Sequence, residues 1–139
     1  MEPIQLHDFD EFFAAMNGGH KPFSWQRALV GHVAQHGVWP DQIVAPTGAG
    51  KSSVVDVHVF LNALSACGNA PRIPRRLHTV VNRRGLVDNQ YQRALSIQSM
   101  LKEALRDPAA ASDVVLRVAS ALQTFSGNRQ GHPFVASVL

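Results

Sequence analysis

A single cysteine, Cys67, leaves this chain of 139 residues without an internal disulfide, and with no cysteine pair there is nothing to begin a zinc site. The fold has to stand on an apolar core. No apolar run comes near the ~18 consecutive residues of a membrane span, and residues 134–138, among the longest, are already broken by Ser137. No transmembrane helix and no membrane partner are expected. The chain opens with Glu2, Asp8, Asp10 and Glu11 rather than a basic stretch ahead of an apolar one, so an export signal is not expected and a cytoplasmic location follows. Internal repeats and low-complexity blocks are missing too. What is present is ordinary globular composition, 45% apolar against 17% charged, which excludes disorder and fits one domain with room for a core.

The net charge of +3 is unevenly spread. Arg72, Arg75, Arg76, Arg83, Arg84 and Arg93 fall in one stretch with a single acid, Asp88, while the remainder is acidic on balance. That distribution suits either a polyanionic partner or a merely solvated face.

Hydrophobic period and punctuation then divide the chain. Asp8 with Glu11 has the form of an acidic capping box, and Phe9, Phe12, Phe13 and Met16 follow at helical spacing until Gly18 and Gly19. Ser24 is placed to cap a second helix, with Trp25, Ala28, Leu29, Val33 and Ala34 as its apolar stripe and Gly37 as its stop. Helical period returns from Ser52 to about Leu64, over residues 87–105 ahead of Pro108, and from Ser112 through Phe125, where Gly127 closes it. Three short apolar runs, 42–45, 77–81 and 134–139, read as buried strands. Strands alternating with helices of this length predict βαβ units, hence an α/β fold with a parallel sheet flanked by helices.

The string Ala45, Pro46, Thr47, Gly48, Ala49, Gly50, Lys51, Ser52 satisfies the phosphate-loop pattern with alanine in the first glycine position, between an expected strand and an expected helix. Gly48 and Gly50 permit the backbone angles that turn successive N–H groups inward around a polyphosphate at a helix N-terminus. Lys51 adds a point charge at the β- and γ-phosphates. Ser52 offers its hydroxyl to the Mg²⁺ that accompanies a triphosphate. ATP with Mg²⁺ is therefore the expected cofactor, held by Thr47, Gly48, Ala49, Gly50, Lys51, Ser52 and Ser53. A glycine turn before a helix is the bland alternative.

The same string resembles motif I of superfamily 2 helicases, in which the proline–threonine pair is characteristic. Upstream, Pro22, Phe23, Ser24, Trp25 and Gln26 resemble the aromatic-plus-glutamine element that reads adenine in such helicases, a task for which a side-chain amide both donates and accepts. The other reading of Gln26 is a surface glutamine beside a core tryptophan. Downstream, residues 80–90, with Asn82, Arg83 and Arg84, resemble motif Ia of the CRISPR-associated helicase/nuclease of type I systems. The resemblance implies a RecA-like ATPase domain, an N-terminal helical segment over 1–20, and residues 21–139 as the N-terminal part of the first RecA-like domain. It also implies ATP-driven unwinding of DNA after target recognition by an RNA-guided surveillance complex. In physical terms, Asn82, Arg83 and Arg84 are expected where a strand end meets a helix N-terminus, a rim suited to the phosphates of single-stranded DNA. An arginine pair binding local carboxylates is the alternative.

Hydrolysis in this class needs a further acidic pair at a strand end, and the only adjacent acids, Asp10 and Glu11, precede the phosphate loop. Catalysis by residues 1–139 alone is not expected, and the chain reads as an N-terminal fragment of a longer helicase. Metal readings of the seven histidines fail on spacing: His7 and Asp8 lack the further ligands of a histidine–aspartate nuclease, and His32 and His36 lack the glutamate of a zinc protease. Two other function classes stay open: a small P-loop kinase or other NTPase without a nucleic-acid partner, and a nucleic-acid-binding module with a vestigial loop.

Overall fold

The computed structural model of the chain describes residues 1–44, 53–80, 84–125 and 132–137. A 3-10 turn at Leu6–Asp8 leads into α1 (Phe9–Met16), followed by α2 (Ser24–His36), α3 (Val54–Ala66), α4 (Arg84–Arg106) and α5 (Asp113–Phe125). All regular secondary structure among the described residues is helical. The parallel sheet of a RecA-like fold is therefore absent among the described residues, and the α/β expectation is corrected to an α-helical one.

The described parts of the three expected strands, 42–44, 77–80 and 134–137, are not strands. An extended run becomes a strand only when its backbone N–H and C=O groups meet a neighbouring ladder, and no ladder forms among the described residues. Asn62 Nδ2 donates to the Pro74 carbonyl at 3.2 Å, and His58 Nε2 lies 3.2 Å from the Arg75 carbonyl, just ahead of the run at 77–80. In the last run the Ala136 N–H donates to Gln98 Oε1 on α4 at 2.8 Å. The apolar side chains of these runs largely face water, with Val44 82% and Val80 92% exposed.

The core is built around α3. From Val55 to Leu64 every one of its residues is buried, so this helix is covered on all sides, as an apolar helix at the centre of a bundle must be. Helices α5, α2 and α1 pack against it, and α4 packs against α5. Phe60 of α3 meets Phe9 of α1 edge-on at 5.2 Å between ring centroids and Phe12 at 5.7 Å, in the offset geometries that aromatic quadrupoles favour. Buried apolar side chains, Leu29, Val30 and Val33 from α2 and Val114, Val118 and Leu122 from α5 among them, complete the core.

Helix termini depart from expectation in detail. Ser24 is the first residue of α2 rather than its cap, and the Phe23 N–H is satisfied by Gln26 Oε1 at 2.7 Å. Ala28 is exposed, and Val30 takes the place expected for it in the buried stripe. Asp8 does not cap α1. It ends the 3-10 turn, accepts the Gln5 N–H at 2.8 Å and forms a buried two-bond pair with Arg117 of α5 at 3.0 and 3.2 Å. No helix among the described residues is long and apolar enough to cross a membrane.

A candidate nucleotide recess at the start of helix 3

The first turn of α2 and the start of α3 are joined by one amide. Gln26 is fully buried, and while its Oε1 accepts from Phe23, its Nε2 donates to Ser53 Oγ. Ser53 immediately precedes α3, so this link ties the entrance of α2 to the point where the phosphate-loop string runs into a helix. Burial of a glutamine side chain is tolerated because both ends of its amide are paired.

Beside this junction opens a recess of about 360 Å³. Phe13 and Asn17 from the end of α1, His20 and Lys21 from the following loop, Phe23 and Ser53 from the two helix entrances, and Arg93 from α4 line it, with Gln26 behind them. Phe23 is 51% exposed, which leaves a ring face available to a planar ligand. The lining carries positive charge from Lys21 and Arg93.

The far wall is held by a closed polar network. Asp56 of α3 is completely buried, and Arg93 grips it as a fork, Nε to Oδ1 at 3.2 Å and Nη2 to Oδ2 at 2.7 Å. Asn17 completes the ring: its Nδ2 donates to Asp56 Oδ2 at 2.8 Å and to the Phe13 carbonyl at 2.8 Å, and its Oδ1 accepts from Arg93 Nη2. Burial pushes the Asp56 carboxyl above its ordinary value, while the Arg93 charge and the Asn17 and Arg93 hydrogen bonds pull it back. The network joins α1, α3 and α4 at the side of the recess.

Among the residues expected to form a site, Gln26 and Ser53 are in direct contact. Arg84 lies in the exposed first turn of α4, nine residues before Arg93 and about 13 Å from it along the helix axis. Its expected neighbour, a strand end, is not there among the described residues. Thr47, Gly48, Ala49, Gly50, Lys51, Ser52, Asn82 and Arg83 lie outside the described residues. The sequence reading missed Asn17, Asp56, Lys21 and Arg93. A signal existed for one of them: Asp56 is an acid within an otherwise apolar helical run, a position that demands a partner. Arg93 was hidden in the count of the basic stretch.

A second, smaller recess of about 160 Å³ lies between α3 and the end of α5, where the Arg75 guanidinium sits 4.0 Å above the Phe125 ring. No group of three metal-ligating side chains occurs among the described residues. No family model, curated protein or solved structure matches the chain.

Proposed function

We propose that the chain binds a nucleoside triphosphate, ATP with Mg²⁺, through the string 45–53. The single observation behind this reading is the phosphate-loop wording of that string, running directly into the N-terminus of α3 beside a cationic, aromatic-walled recess. Lys51 supplies charge to the β- and γ-phosphates and Ser52 a hydroxyl to Mg²⁺. Gln26 holds Phe23 and Ser53 on one wall, so in this arrangement it serves the base through them.

The finer reading is the ATP-binding portion of an ATP-dependent DNA helicase of type I CRISPR interference, with single-stranded DNA at Asn82, Arg83 and Arg84. It is supported by the wording of the two motifs and by an exposed Arg84 at a helix start, where N–H groups and arginine suit phosphate.

Titration calorimetry of Mg-ATP tests the first step. Lys51→Ala removes one charge-assisted contact worth about 1.5–3 kcal/mol, so affinity should fall roughly ten- to a hundredfold. Equal affinity in both proteins overturns nucleotide binding at the loop. For the DNA step, Arg83→Ala with Arg84→Ala should lower the slope of log K against log salt by about 1.4 on single strands. No DNA binding by a chain that binds ATP would favour the NTPase reading without a nucleic-acid partner.

A further inference from the structure

Arg93 is more than the counter-ion of Asp56. Its Nε and Nη2 edge is turned onto Asp56 and Asn17, and no hydrogen bond to Nη1 exists among the described residues. The side chain is a quarter exposed and lines the recess that Ser53 and Phe23 border. A guanidinium fixed on one edge by a buried carboxylate is pre-organised: its rotamer freedom is already lost, so the N–H groups of the other edge meet an acceptor at little further entropic cost. Lys21 on the same wall places a second positive charge near the same space.

From this geometry we infer that Arg93 is a nucleotide-binding residue, its free Nη1 edge donating to a phosphate oxygen of the ligand seated at the start of α3. Asp56 and Asn17 are its positioning residues. The inference rests on the nucleotide reading of the string 45–53 and adds to it a cation from a different helix, one that the sequence grouped with the basic stretch. A phosphate is the fitting acceptor because it is anionic and the recess lining is cationic, and because Nη1 keeps N–H donors after the Nε and Nη2 edge is spent on Asp56 and Asn17.

The test compares Mg-ATP and adenosine binding by calorimetry on the full chain, with unfolding temperatures measured alongside. Arg93→Lys keeps a charge opposite Asp56 but has no second edge. The paired change Asp56→Asn with Arg93→Gln removes both charges together, so no buried ion is left unpartnered, and keeps the fold testable if the single variant unfolds. Both should weaken Mg-ATP tenfold or more and leave adenosine binding near wild type, the unfolding temperatures identifying the variants that remain folded. Wild-type ATP affinity in a folded variant overturns the inference and leaves Arg93 as a structural residue. Equal loss for ATP and adenosine overturns the phosphate contact. If wild type and Lys51→Ala bind Mg-ATP equally, the nucleotide reading itself fails, and with it this role for Arg93; a Lys51-dependent wild type with indifferent Arg93 variants separates the two failures.

Discussion

At the scale of single residues, no buried side-chain polar atom among the described residues lacks a hydrogen-bond partner, and several of the deciding partners lie far away in sequence. Asp8 shows why local pattern misleads. As an acid three residues before Glu11 it has the form of a helix cap, yet its partner is Arg117, 109 positions along the chain. Desolvation pushes the Asp8 carboxyl up, but the Arg117 and Gln5 hydrogen bonds and the Arg117 charge outweigh it and hold the group below its ordinary value. His58 is the complementary case. Burial on α3 lowers its pKa from the ordinary 6.5, and the bond to the Arg75 carbonyl opposes this only in part. With Nε2–H donating to that carbonyl, Nδ1 is the acceptor facing Asn62 Nδ2 at 3.5 Å, so the ring is held neutral. The Arg75 guanidinium over Phe125 and the His132 ring on the same recess add no acid to favour a charged form. A histidine whose folded pKa is depressed contributes stability that is present above 6.5 and lost as pH falls through the folded value. Urea unfolding should therefore show stability falling as pH drops below about 6.5, with a slope of up to about 1.4 kcal/mol per pH unit from this group. His58→Gln, which can still donate to the Arg75 carbonyl, should flatten that slope. An unchanged slope would mean that another group sets the acid sensitivity.

At the scale of elements, the five α-helices among the described residues were legible, because their period, breakers and lengths are local properties. Gly37 illustrates the punctuation. It sits just past α2 with φ +74° and donates its N–H to the Val33 carbonyl at 2.8 Å, the left-handed terminus that glycine adopts without a Cβ penalty. A Cβ there would stand 3.0 Å from Pro71 Cβ, closer than side chains normally approach. Gly31, inside the same helix, is different: its φ is not positive, and a Cβ would meet nothing. Opposite signs are expected. Gly37→Ala should destabilise by about 1–2 kcal/mol through backbone strain and the Pro71 contact, whereas Gly31→Ala should stabilise by about 0.5–1 kcal/mol by reducing the freedom of the unfolded chain. Thermal unfolding of the two variants checks this, and a loss at Gly31 as large as at Gly37 would show that helix-end geometry is not the cause. The candidate site was half legible on the same grounds. Gln26 and Ser53 belong to local motifs, but Asn17, Asp56 and Arg93 meet only because three helices pack, and no local pattern announces such a meeting.

At the scale of the whole molecule, the strand expectation failed because short apolar runs carry no information about their neighbours. Residues 42–44, 77–80 and 134–137 have strand-like composition, and periodicity cannot distinguish a buried strand from an extended connection laid over helices. Burial does distinguish them: a strand inside a covered sheet hides its apolar side chains, whereas Val44, Val80 and Val135 are exposed. The backbone accounting agrees, since Gln98, Asn62 and His58 supply single bonds to these segments and their flanks where a ladder would supply one at every second residue. Stability must then be distributed very unevenly. Amides in the middle of α3, buried and bonded within the helix, should exchange with solvent deuterium only through global unfolding. Amides of residues 77–80 should exchange close to the rate of an unstructured peptide, and Ala136 between the two because Gln98 holds its N–H. Native-state hydrogen exchange resolved by residue reads this gradient directly. Protection over 77–80 matching that of α3 would show those amides to be paired in a ladder and would overturn the helical architecture; free exchange there, with α3 protected, is what a bundle centred on one enclosed helix requires.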